Sequence, residues 1–167
     1  TGTYMGNTTE YFSSVFPKVL TFEVRDDYAA QARENLEGLD NIEMFVGSSG
    51  KHLGVFLKRN RKEKVLLYLD AHWGANWPLR DEILNTAQVL PDNCVIIIDD
   101  VKVPGEDIDF DSYDGQECSY EYVKEQLDKC FTSYKHYFLI TNKKHRGKLL
   151  IIPTSFTDED LSESWFK

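Results

Sequence analysis

The chain predicts an α/β fold: a doubly wound, mostly parallel sheet that closes with an antiparallel hairpin. Three observations carry this. Apolar, strand-like runs alternate with helical patterns from end to end. The strongest runs, 65–69 (Val-Leu-Leu-Tyr-Leu) and 94–98 (Cys-Val-Ile-Ile-Ile), are apolar at successive positions, as strands covered on both faces must be. The last two runs are joined by a short turn with no helix between them, which suits an antiparallel pair.

The elements follow in order. Residues 10–16 read as a helix behind a glycine- and threonine-rich opening. Residues 18–24 (Lys-Val-Leu-Thr-Phe-Glu-Val) read as a strand and 26–39 as a helix, with Asp26 or Asp27 near its N-cap. A short strand over 42–46 precedes a helix over 51–60, and the strand 65–69 precedes a helix over 79–89. After 94–98 comes an amphipathic helix over 119–131, then strands 137–141 and 148–152 around a Lys-Lys-His-Arg-Gly turn. With 167 residues, no internal repeat and no linker, the chain reads as one domain over 1–167.

Composition narrows the function classes. Aromatic residues make up 13% of the chain and hydrophobic ones 41%, which excludes a disordered or fibrous protein. Lys and Arg number 19 against 28 Asp and Glu, so the net charge is -9. That field repels polyanions, which argues for a small-molecule substrate and against nucleic acid or an anionic membrane as partner. No apolar run approaches the length of a membrane span, and no signal peptide opens the sequence. Cys94, Cys118 and Cys130 fit no zinc or redox spacing, so a reduced cytoplasmic setting is expected. A homo-oligomer is compatible with these numbers.

In open α/β sheets ligands sit beyond the carboxyl ends of the strands, so chemistry is sought there. The opening Thr1-Gly2-Thr3-Tyr4-Met5-Gly6-Asn7-Thr8-Thr9 runs into a helix; its glycines let backbone approach a ligand, and the helix start favours a polar or anionic group. The next strand ends at Glu23, near the roughly 20-residue spacing at which an acid accepts hydrogen bonds from ribose hydroxyls. The third strand runs into Gly47-Ser48-Ser49-Gly50, small residues able to border an adenine. The fourth ends in Asp70-Ala71-His72-Trp73 and the fifth in Asp99-Asp100. Strands that finish repeatedly in carboxylates point to a shared rim that binds something.

These residues resemble class I S-adenosylmethionine-dependent methyltransferases, which have a Rossmann-like sheet. The Gly-Thr-Tyr-Met-Gly-Asn-Thr segment is similar to that family's first motif. The resemblance implies an S-adenosylmethionine site made of Gly2, Thr3, Tyr4, Gly6, Asn7, Thr8, Glu23, Ser48, Ser49 and Asp70. Within the family, Asp70 with Asp99 and Asp100 is similar to the metal-dependent O-methyltransferases of macrolide and aminocoumarin sugars. That likeness implies a Mg2+ or other divalent site on Asp70, Asp99 and Asp100. Two departures stand out: the chain starts at the first motif, so the family's first central strand is missing and an N-terminal truncation is expected. Ser48 also stands where many relatives carry Asp.

The chemistry this implies is metal-assisted O-methylation of a small hydroxylated substrate such as a sugar or glycoside. A divalent cation on carboxylates would bind vicinal hydroxyls and lower the pKa of one. His72, two residues beyond Asp70, is a candidate general base, with Asp70 as its catalytic neighbour. Trp73 and Trp77 could stack on substrate or pack, and His52, His136 and His145 read as surface residues. The acidic stretch 104–117 reads as a lid or a solvated loop; Ser112 and Cys118 at the positions that need Gly and Glu exclude a calcium-binding EF-hand. No P-loop and no nucleophile elbow is present, and the Asn7-Thr8-Thr9 sequon falls in the cofactor loop. Three other readings stay open: a related-fold hydroxylase, a non-catalytic nucleotide-binding module, and a nicotinamide-dependent oxidoreductase, whose Gly-x-Gly-x-x-Gly the chain does not match.

Overall fold

The computed structural model describes residues 1–72, 74–90, 92–140 and 146–157. Trp73 and His145 lie outside the described residues, as does Thr141 at the end of the expected strand 137–141. The described residues form two compact units, 1–49 with 156–157 and those within 50–155.

The first unit holds α1 (Asn7–Val15), β1 (Val19–Glu23), α2 (Asp26–Asn35) and β2 (Ile42–Val46). β1 and β2 pair in parallel, with Phe22 opposite Phe45 and Glu23 opposite Val46. β1 is covered on both faces: Val19 and Phe22, three positions apart and so on opposite sides of the strand, are both buried, and the helix beside it contributes Ala29 and Ala32, which are fully buried. Alanine suits that position because its small side chain lets a helix approach a sheet closely. α2 stops at Asn35, short of the expected 39, because Gly38 takes a left-handed φ of 86° just beyond it.

The second unit carries α3 (Ser49–Arg59), β3 (Val65–Leu69), α4 (Leu79–Val89), β4 (Cys94–Val101), α5 (Tyr120–Cys130), and β7 (Tyr134–Leu139) with β8 (Gly147–Pro153). A two-residue ribbon, β5 (Ser112–Tyr113) with β6 (Gln116–Glu117), interrupts the acidic stretch. The main sheet has the order β3-β4-β8-β7: β3 and β4 are parallel, and β8 is antiparallel to both of its neighbours. The sheet is mixed, one parallel pairing and two antiparallel ones, with the expected antiparallel hairpin of β7 and β8 at one side. Its centre is apolar on successive positions, and Ile96, Ile98, Leu149 and Ile151 are wholly buried. Each such side chain contributes about 1.5–3 kcal/mol relative to an exposed one.

The helices are placed by simple rules. α5 begins where the Ser119 hydroxyl accepts a hydrogen bond from the Tyr122 amide at 3.1 Å, a cap worth about 1 kcal/mol. Its buried stripe, Val123, Gln126, Leu127 and Cys130, repeats at three and four residues and packs against α4. α4 offers Leu79, Glu82, Ile83 and Thr86 in return. All three cysteines are unpaired and buried. Among the described residues no helix is long and apolar enough to cross a membrane.

One glycine decides how the sheet ends. Gly147 pairs with Val101, and a Cβ there would sit 2.8 Å from the Val101 carbonyl oxygen and collide with the Val103 side chain. Only glycine lets the start of β8 lie this close to the end of β4.

Candidate functional site

The two units carry separate sets of candidate residues. In the first, the opening loop folds over the carboxyl end of β1. The Gly2 and Thr3 amides both donate to the Phe22 carbonyl at 3.1 Å. Gly2 (φ 75°), Tyr4 (φ 49°) and Gly6 (φ 93°) are left-handed, which reverses the chain tightly. A Cβ on Gly6 would press on Leu36 at 3.1 Å, so glycine is needed for space as well as for φ. Glu23 is buried at the strand end; its Oε2 accepts the Tyr4 amide at 2.8 Å and its Oε1 the Arg25 amide at 3.0 Å.

The expected cofactor residues divide on this geometry. Asn7 and Thr8 are exposed at the first turn of α1, ahead of the first intrahelical bond from Glu10 to Gly6 at 2.8 Å. Its N-cap, Gly6, has no side chain to cap that turn, so its amides suit a polar ligand. Tyr4 is exposed and meets Tyr28 edge to face at 4.7 Å. Glu23 keeps lone pairs beyond the two amides it accepts, the capacity a ribose diol needs. Ser48 is half-buried in the loop after β2, while Ser49 is buried in the first turn of α3 rather than in the loop. Thr3 is the exception: its hydroxyl is buried and hydrogen-bonded to that of Thr21 at 2.7 Å, so only its backbone borders the loop. The donor set therefore fits an adenosine-type ligand through Glu23 and the α1 amides.

In the second unit, register assembles the acidic rim. Leu69 pairs with Ile98, so the next residues, Asp70 and Asp99, emerge side by side. The β4 ladder slips between Ile98 and Val101, where Asp100 adopts a left-handed φ of 53°. Because β8 runs antiparallel, its beginning, not its end, reaches the same rim. It delivers Arg146 and Lys148.

These two cations take up the Asp pair. Asp99 Oδ1 accepts from Lys148 Nζ and from the Asp100 amide at 2.9 Å, and its Oδ2 accepts from the Tyr68 hydroxyl. Lys148 Nζ also donates to the Tyr68 oxygen at 2.8 Å. Arg146 spans Asp100 at 2.9 Å, Asp109 at 3.1 Å and Asp111. Burial pushes the Asp99 carboxyl up, but the bonds from Lys148 and Tyr68 outweigh it and hold the group below its ordinary value. Asp100 is raised, by burial first and the Asp99 charge second, against the opposing pull of Arg146. Asp70 has no such cation in bonding distance among the described residues. Burial, then the charges of Asp99 and Asp100, push its carboxyl up to about 7.

The expected metal triad is not assembled. Among the described residues no group of three or more His, Cys, Asp or Glu is placed to hold an ion. The physical reason is that Asp99 is already bonded to Lys148 and Tyr68, and the left-handed turn at Asp100 aims its carboxylate at Arg146. The residues present do not fit magnesium, and no chemical step is derived through it.

His72 lies deeper than a substrate-facing base. It is 2% exposed, its Nε2 bonds the Asp99 carbonyl at 3.0 Å, and its Nδ1 is buried without a partner among the described residues. Trp77 packs edge to face on His72 at 5.7 Å and on Tyr122 at 5.3 Å, so it serves packing at this mouth. His52 and His136 are surface residues, as expected.

The acidic stretch is tied down. The Asp111 amide donates to the Asp100 carbonyl at 2.9 Å, the Cys118 amide to Asp111 at 2.8 Å, and the Lys102 amide to Cys118 at 2.8 Å. Arg146 adds the ion pairs to Asp109 and Asp111.

No family model matches the sequence, and no curated protein matches it. Solved structures do match. An rRNA methylase from Streptococcus thermophilus is similar at 14% identity, with a TM-score of 0.53, over 89% of this chain and 80% of that one. An O-methyltransferase from Bacillus cereus in complex with SAH is similar at 20% identity and TM-score 0.54, over 92% and 71%. Aeropyrum pernix fibrillarin, with natively bound S-adenosyl-L-methionine, gives 13% identity and TM-score 0.57, over 90% of this chain and 64% of that one. The chain has the fold of class I S-adenosylmethionine-dependent methyltransferases.

Proposed function

We propose that the protein is an S-adenosylmethionine-dependent methyltransferase that acts on a hydroxyl oxygen of a small molecule, of the sugar or glycoside type. The observation that carries the reading is Asp70. It stands at the carboxyl end of β3, half-buried, beside the Asp99 and Asp100 carboxylates, in a fold shared with methyltransferases over about nine-tenths of the chain. A neighbour that bears the name O-methyltransferase and holds SAH supports both the donor and the oxygen acceptor.

The donor, when bound, supplies a methyl group on a positively charged sulfur. Glu23 and the first-turn amides of α1 would hold its ribose and a polar end. In the transfer the acceptor oxygen bonds to the methyl carbon, the sulfur keeps the electron pair and the hydroxyl proton needs a base; within the second unit Asp70 is the group suited to take it. A carboxyl that titrates near neutrality is suited to that transfer. His72 positions the rim through the Asp99 carbonyl.

The net charge of -9 favours a small acceptor over RNA, even though one structural neighbour bears the name rRNA methylase. The test is transfer of labelled methyl from S-adenosylmethionine to a panel of hydroxylated sugars, glycosides and phenols, with structured RNA alongside. Labelled small-molecule product supports the reading; label confined to RNA overturns it.

A further inference from the structure

The mismatch between the Asp pair and a metal has a positive content. Asp70, Asp99 and Asp100 stand at one rim without forming an ion cradle, and neighbouring carboxylates need compensating charge. The chain supplies it from β8. Lys148 lies opposite the end of β4, its side chain 27% exposed, and bonds both Asp99 and Tyr68. Arg146, two residues earlier, forks across Asp100, Asp109 and Asp111. We propose that Lys148 and Arg146 are built-in cations that hold the place of a divalent ion beside Asp99 and Asp100, so that the rim works without bound metal.

The arrangement follows from topology. β8, paired between β4 and β7, runs antiparallel to β4 and so turns its amino end toward the ligand rim, and Gly147 between the two basic residues allows the close approach that puts both cations in reach. An ammonium has three donors. Lys148 uses two on Asp99 and Tyr68, and among the described residues none takes the third, which leaves it for an oxygen arriving beside Asp70. That last role rests on the methyl-transfer reading; the neutralisation of the rim does not.

The test uses Mn2+ alone, followed by electron paramagnetic resonance on the full chain, with folding of every variant checked by circular dichroism. The wild-type protein is expected to leave Mn2+ free. Removal of both cations in Arg146→Ala/Lys148→Ala exposes the carboxylates and should strengthen Mn2+ binding by at least about tenfold, a gain that added Asp99→Asn abolishes. If the double variant does not fold, Lys148→Met alone should show a smaller gain in the same direction. Tight one-to-one Mn2+ binding by the wild type, lost in Asp99→Asn, would overturn the proposal. The readout is the ion, so a failure to find methyl transfer counts against the proposed function and leaves this result standing.

Discussion

Replacement of Asp70 by Asn should stabilise the protein, and more so at high pH. The folded state holds the Asp70 carboxyl at about 7 against an ordinary 3.8, chiefly through burial and then through the Asp99 and Asp100 charges. The folded protein therefore binds this proton more tightly than the unfolded chain. Stability from this group is present at low pH and is lost as pH rises from about 4 through about 7, above which both states are ionised and the full cost is carried. At about 1.36 kcal/mol for each tenfold change in proton affinity, that cost has a ceiling on the order of 4 kcal/mol. Solvent at the half-buried rim screens part of it, so a gain of about 2 kcal/mol for Asp70→Asn at pH 8 is the working figure. Linkage places part of the loss below pH 5, so the gain should shrink to about 1 kcal/mol there. Urea unfolding of wild type and variant at pH 5 and pH 8 measures both, and other titrating groups largely cancel in the difference. An Asp70→Asn variant with the same stability difference at both pH values, or one destabilised at pH 8, would refute the account of the rim.

Three further outcomes are expected. Glu23→Ala should weaken S-adenosylhomocysteine binding by more than about tenfold, since bonds to a charged group contribute about 1.5–3 kcal/mol, and calorimetry on the folded variant reads it directly. Gly147→Ala should destabilise by about 1–3 kcal/mol in a urea titration, because its Cβ meets the Val101 carbonyl oxygen as well as the Val103 side chain. Amides of Asp111 and Cys118 should be protected from hydrogen exchange without any ligand, and Arg146→Ala should speed exchange there; rapid exchange in the ligand-free wild type would restore a mobile lid.

Much of the fold was legible because burial writes itself into local pattern. The strands Ile42–Val46 and Val65–Leu69 and the helix Leu79–Val89 fall where periodicity puts them. Boundaries set by tertiary bonds were less legible. β4 runs through Asp99 and Asp100 to Val101 because β8 pairs across the bulge, and β7 starts at Tyr134 because it pairs with Pro153. The short β5–β6 ribbon has no apolar signal to announce it: Ser112 and Tyr113 are exposed.

At the site, the strand-end rule found Asp70, Asp99 and Asp100 but was blind to Arg146 and Lys148. That rule looks at carboxyl ends, and in an antiparallel strand the amino end occupies the same rim. The signal was present: the hairpin expected at the sheet edge carries two basic residues, Arg146 and Lys148, where its second strand begins. His72 looked accessible in sequence because it follows a strand; its burial depends on Trp77 and the Asp99 carbonyl, which no local pattern reveals.

On the proposed function this chain binds and uses a sulfonium methyl donor. Calorimetric titration with S-adenosylhomocysteine, alongside NAD, tests it without knowledge of the acceptor. The account predicts saturable one-to-one binding of S-adenosylhomocysteine that Glu23→Ala weakens, with no heat of saturation from NAD. Saturation by NAD with none by S-adenosylhomocysteine would contradict it and return the site to nicotinamide chemistry.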